Sequence, residues 1–209
     1  MKASILNSLP LLLLLQGSPF AQAEEENAAL NAAAERIAIT TCATCHGPQG
    51  HSYSPKFPVL AGQHAGYLKT QLQAFRAQTR GDPDALGYMW GMAAPLDDDT
   101  MGALADYYSR QSPQAGPIDD PGKIQRGKVI YGEGDSARGI PACSACHGPD
   151  AQGTDAFPRL AGQHVQYLIK QLRSFQNNMR NVAVMHGVAR GLEVSDMEAV
   201  ANYLQSLGP

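Results

Sequence analysis

The sequence predicts an all-α protein built as two tandem copies of one small fold. Three observations carry this expectation. The second half repeats the first at a domain-sized spacing of about 100 residues. Apolar residues recur at helical spacing in matched stretches of both halves. No segment shows convincing strand alternation, and Gly, Pro, Asp and Ser fill the connections.

The repeat reads residue by residue. Cys42-Ala43-Thr44-Cys45-His46-Gly47-Pro48 matches Cys143-Ser144-Ala145-Cys146-His147-Gly148-Pro149 at an offset of 101. Phe57-Pro58-Val59-Leu60-Ala61-Gly62-Gln63-His64 matches Phe157-Pro158-Arg159-Leu160-Ala161-Gly162-Gln163-His164 at an offset of 100. Tyr67, Leu68, Gln71, Leu72 and Phe75 recur at that same offset. Met89-Trp90-Gly91-Met92-Ala93 matches Met185-His186-Gly187-Val188-Ala189 at an offset of 96. Solenoid repeats run at roughly 20–50 residues, so each copy is expected to be a domain.

The elements follow in chain order. Lys2, the short apolar stretch Ile5 to Leu15 and the small-x-small site Ala21-Gln22-Ala23 have the layout of a secretory leader, residues 1–23. The other reading of that leader, an uncleaved anchor, would give peripheral membrane association. Ala28 to Thr41 is alanine-rich and predicts a helix running into the first cysteine motif. His64 to Thr79 carries an amphipathic stripe. Asp97, Asp98 and Asp99 make an acidic helix start, with the helix ending at Arg110. Gln111 to Gly122 holds three prolines and two glycines and reads as a semi-rigid linker. Lys123 to Tyr131, His164 to Met179 and a helix from about Ser195 to just before Gly208 repeat the series. The domains are thus expected at 24–110 and 123–209, joined by 111–122.

Charge narrows the partners. The sequence carries 16 basic and 19 acidic residues, net −3. With the leader removed, 24–115 holds ten acids and six bases, and 116–209 holds nine of each. No basic patch points to nucleic acid. An acidic half beside a neutral half would steer docking, unless it is simply an ordinary solvated surface.

All four cysteines fall in two Cys-x-x-Cys pairs, each followed at once by histidine. That is the attachment signature for c-type haem. Two thiols one helical turn apart can form thioethers to one porphyrin, and the adjacent histidine sits under the iron. A redox dithiol would not need the histidine. A zinc site would need the two pairs to converge, and each lies in its own copy. The expected attachment residues are Cys42, Cys45 and His46, then Cys143, Cys146 and His147, for two covalent haem c groups.

For the sixth ligand, Met89 and Met185 are paired by the repeat and read as lying in loops before the last helices. Met92 stands opposite Val188. Met101 and Met197 fall on the periodic face of the C-terminal helices and read as core, and Met179 has no counterpart. His64 and His164 read as structural, His51 as a surface-loop residue. His186 adjoins Met185 and is read as tuning the second haem or competing as its ligand. Carbonyls at Pro58 and Pro158 are expected to accept from the haem histidines. Gln63, Gln163, Tyr67 and Tyr167 are open between haem propionate partners and helix-start or packing residues. Trp90 is expected over a haem edge.

These stretches resemble the cytochrome c4 family, two-haem members of the class I cytochromes c. The likeness spans the chain from Cys42 to Leu192 through Phe57–Gln63, Met89–Leu96, Ile140–His147, Phe157–Gln163 and Met185–Leu192. It implies two class I cytochrome c-like domains related by a pseudo-two-fold axis, with His46 and Met89, and His147 and Met185, as axial pairs. It also implies haems facing each other across a propionate-lined interface, and a periplasmic carrier feeding a terminal oxidase. Met92, opposite Val188, is where this chain departs from the paired pattern and is the rival to Met89. Expected partners are redox proteins: a terminal oxidase as acceptor, and quinol–cytochrome c reductase or another electron donor.

With methionine at both irons no coordination position is open, so one-electron transfer without acid, base or nucleophile is expected. A two-haem peroxidase or thiosulfate-oxidising cytochrome would need an open sixth position. A haem subunit of a larger complex would share the chemistry and differ in partner.

Overall fold

Helix–helix packing forms the whole framework. The computed structural model describes residues 19–208, so the apolar leader stretch lies outside the described residues. Among them no strand forms, only an isolated bridge between Asp135 and Ile140. No described helix is long and apolar enough to cross a membrane.

The first copy opens with α1 (Pro19–Ile37), which continues through a π-helical turn (Ala38–Cys42) into the short α2 (Ala43–His46). The helix starts earlier than the expected Ala28, because the alanines and glutamates before that point are good helix formers too. Then come α3 (Ala65–Arg76), a π-helical turn (Ala85–Met89), α4 (Trp90–Ala93) and α5 (Asp98–Ser109). Asp97 caps α5 by accepting from Thr100 N at 2.8 Å.

The second copy repeats the plan with α6 (Pro121–Glu133), α7 (Ser144–His147), α8 (Val165–Gln176), α9 (Ala183–Ala189) and α10 (Val194–Ser206). Glu193 and Asp196 form a capping box at the start of α10. Met89 and Met185 therefore sit on short helical segments, not in the loops expected for them. Ala85, Ala93 and Ala189 are buried, and their small side chains let these turns close against the core.

In each copy the first helix packs on the last, α1 on α5 and α6 on α10. The second crossing is the closer. A Cβ on Gly127 of α6 would lie 2.0 Å from the Ala199 carbonyl oxygen of α10, so only glycine admits the approach. Leu68, Ala103, Leu104 and Tyr108 centre one core, and Tyr131, Ile140, Leu168, Met197 and Leu204 the other. Met197 is buried in the second of these cores and Met101 in a separate cluster with Phe75, Ala85 and Ala93, as their periodicity predicts.

The linker is held by hydrogen bonds as well as by its prolines. Gly116 N donates to Gln205 O at 2.8 Å, and Gln205 Nε2 donates to Pro117 O and Asp119 Oδ2, both at 2.9 Å.

The copies meet along a seam whose contacts come in symmetric pairs. Gln63 Nε2 donates to Arg159 O (2.9 Å) and its Oε1 accepts from Arg159 N (2.8 Å). Gln163 does the same to Val59, at 3.0 and 2.9 Å. His64 Nε2 donates to Gln152 O (2.7 Å) and His164 Nε2 to Ser52 O (2.8 Å). The two glutamine amides are thus spent on the opposite domain's backbone. These contacts accord with the packing reading, and each Nε2 keeps a second N–H for another acceptor.

Candidate haem sites

Each cysteine pair is delivered by a short helix, and each helix ends at its histidine. Gly47 and Gly148 follow at φ +73° and +82°, a left-handed conformation that turns the chain away. A Cβ on Gly47 would lie 2.0 Å from the His51 carbonyl oxygen. All four thiols are free.

Both imidazoles are buried and anchored alike. His46 donates its Nδ1–H to Pro58 O at 2.9 Å, and His147 to Pro158 O at 3.1 Å. The expected proline carbonyls are therefore the partners found. That bond fixes ring orientation and leaves each Nε2 lone pair available to a metal. Burial, only partly offset by the carbonyl bond, lowers both histidine pKa values, so the rings are neutral near pH 7. Phe57 and Phe157 stand edge-on to His46 and His147, with ring centroids 6.2 and 6.1 Å away.

Met89 is half-buried and packs on Phe75, Ala85, Ala93 and Met101. The Phe57 ring links His46 to Tyr88, the neighbour of Met89. Met185 is half-buried on α9, whereas the rival Met92 is 52% exposed. Trp90 donates from Nε1 to Arg80 O at 2.9 Å, and His186 Nδ1–H to Phe175 O at 2.8 Å.

Beneath these pockets the seam contains a cationic cluster that the sequence reading missed. Arg80 and Arg180 are both buried, and each guanidinium lies over a phenylalanine ring, Phe75 at 4.7 Å and Phe175 at 4.6 Å. Arg80 donates to Gln71 (2.8 Å) and, across the seam, to Gln171 (2.9 Å). Arg180 donates to Gln171 (2.9 Å) and, across the seam, to Gln71 (2.8 Å) and the Tyr67 hydroxyl (2.6 Å). Asp82 accepts from Arg80 Nε at 2.6 Å. Burial would raise the Asp82 carboxyl, but the charge and hydrogen bond of Arg80 outweigh it and keep it ionised. The available signal was the repeat itself: Arg80 and Arg180 share the offset of Gln71 and Gln171.

These residues fit two covalently attached haem groups. Burial pushes the Cys42 thiol up and the Cys143 thiol to about 11, opposite to the depression that a redox dithiol needs. Among the described residues no group of three or more His, Cys, Asp or Glu could hold a metal ion. Two buried guanidinium groups, of which only Arg80 is paired with a carboxylate, suit further carboxylates. Buried Gln171 Nε2 and Arg159 Nε have no hydrogen-bond partner.

Two helical domains, each presenting a thiol pair and an anchored neutral imidazole, define a di-haem c-type cytochrome. The chain belongs to the cytochrome c family, whose family model matches residues 32–110 and 124–208, and within it to the cytochrome c4 group. It is 38% identical to cytochrome c4 of Azotobacter vinelandii over 87% of this chain and 91% of that one. The structure of Acidithiobacillus ferrooxidans cytochrome c4 superposes with a TM-score of 0.76 at 42% identity, covering 79% of this chain and 98% of that one. A thiosulfate dehydrogenase electron acceptor of Stutzerimonas stutzeri is 37% identical over 82% of this chain and 81% of its own length. The chain carries two covalently bound haem c groups and is an electron carrier, not an enzyme.

Proposed function

We propose that this protein shuttles electrons between respiratory-chain components in the periplasm and delivers them to a terminal oxidase, with quinol–cytochrome c reductase or a similar donor upstream. Cys42 and Cys45 attach the first haem and Cys143 and Cys146 the second. His46 with Met89, and His147 with Met185, are the axial pairs. Export rests on the leader at 1–23. When bound, the haem iron supplies a reversible one-electron couple.

The observation that carries this reading is the matched anchoring of His46 by Pro58 and of His147 by Pro158. Each bond holds the ring in one tautomer with its free nitrogen presented. Met89 and Met185 would supply the second protein ligand to each iron, which would leave no coordination position for a substrate. The seam keeps the two sites in a fixed relation through Gln63, Gln163, His64 and His164.

A second reading differs only in donor. Relatives named thiosulfate dehydrogenase electron acceptors support a chain that takes electrons from that enzyme. The test is stopped-flow mixing of the holoprotein with an oxidase-bearing membrane fraction and, separately, with thiosulfate dehydrogenase and thiosulfate. Fast oxidation by the membranes supports oxidase delivery, and their failure to oxidise the protein contradicts it. Fast reduction by the dehydrogenase supports the second donor.

A further inference from the structure

We propose that Asp82 sets the potentials of the two haem groups apart, holding the N-terminal couple below the C-terminal one. This inference rests on the di-haem reading above and assigns a role to a residue within it.

The seam cluster is symmetric in its cations and asymmetric in its anion. Arg80 and Arg180 are repeat partners, equally buried, equally stacked on Phe75 and Phe175, and bonded to the same two glutamines. Asp82 has no partner. Between Arg180 and Met185 the chain reads Asn181-Val182-Ala183-Val184, with no acid. Asp82 is 1% exposed and, among the described residues, is the only carboxylate bonded to either buried arginine.

Its place belongs to the first pocket. Arg80 lies on Phe75, Met89 and Trp90 pack against the cluster that contains Phe75, and Trp90 donates to the Arg80 carbonyl. A fixed buried anion there favours the ferric state, because reduction removes a positive charge from the site. Low dielectric carries that effect further than a surface charge would reach. The exposed acids of the first domain, such as Asp97, Asp98 and Asp99, are screened by salt. The gap between couples should therefore survive high ionic strength.

The test is a redox titration of the holoprotein at high salt, with the two waves assigned from paramagnetically shifted haem methyl signals. Asp82→Asn keeps an acceptor for Arg80 and removes the charge. Val182→Asp adds a charge to the other copy; Val182 is 43% exposed, so this variant is titrated at low ionic strength, against the parent under the same conditions. The expected result is a lower wave that belongs to the N-terminal haem and moves up in Asp82→Asn while the upper wave moves less. In Val182→Asp the upper wave should move down. An unchanged gap in Asp82→Asn, equal movement of both waves, or a lower wave that belongs to the C-terminal haem would overturn the assignment. Should Asp82→Asn fail to load haem, Val182→Asp decides alone, since an unmoved upper wave overturns the proposal. A parent holoprotein with fewer than two one-electron waves would instead overturn the di-haem reading.

Discussion

Gln63 and Gln163 each bracket a backbone segment of the other domain, Arg159 for one and Val59 for the other, with both polar atoms of each amide engaged there. A side-chain amide used this way replaces a backbone partner at a buried junction, and its loss leaves two orphaned main-chain groups.

Gln63→Ala and Gln163→Ala should each destabilise the holoprotein by about 1–3 kcal/mol. The double variant should depart from additivity, because both residues clamp one seam. Denaturant titrations of the three variants check this, and unchanged midpoints would contradict the seam's role.

Asp196 gives the second domain a pH-dependent brace. Its carboxylate is fully enclosed and accepts from Arg138 at 2.5 Å and Arg126 at 2.6 Å. Burial alone would raise it, but those two hydrogen bonds hold its pKa down at about 2. A depressed acid stabilises the fold above its unfolded pKa of about 3.9 and loses that contribution as pH falls towards 2. The contribution is on the order of 2 kcal/mol near neutrality. Thermal melts between pH 5 and pH 2, compared with Asp196→Asn, should show a shallower acid slope in the variant.

Gly127→Ala should cost about 1–3 kcal/mol, since its Cβ would meet the Ala199 backbone where α6 crosses α10. Gly132, on the same helix with nothing near its Cβ position, is the control. Gly132→Ala should be neutral or mildly stabilising in a denaturant series.

Met89→Ala should open one iron of the two to carbon monoxide and give a high-spin signal at that iron alone. Met92→Ala should leave the spectrum unchanged, since Met92 is exposed. The reverse pattern would move the axial assignment to Met92.

If the acidic first domain steers docking, the rate of electron exchange with a basic partner should fall as salt rises. A rate independent of ionic strength would leave the charge split as ordinary solvated surface.

The helices and both haem motifs were legible because each follows a local rule: periodic apolar residues, an acidic start, a histidine fixed in the chain beside two thiols. The proline carbonyls at 58 and 158 were legible through the repeat. The seam was not. Gln63, Arg80 and their partners act across sequence separations of about 90 to 105 residues, and nothing local distinguishes a seam glutamine from a propionate ligand. The helical setting of Met89 and Met185 was also hidden, since a glycine-containing stretch of five to seven residues carries too little periodicity to separate a short helix from a loop.

The central claim is that the chain holds two haem groups, each closed by histidine and methionine. An optical spectrum of the exported protein, oxidised and reduced, with haem counted per chain, tests it most directly. Two haems per chain, with a far-red methionine-to-ferric charge-transfer band scaling to both irons, is the predicted result. A band that accounts for one iron only, or a high-spin haem that binds small ligands in the unmodified protein, would contradict it.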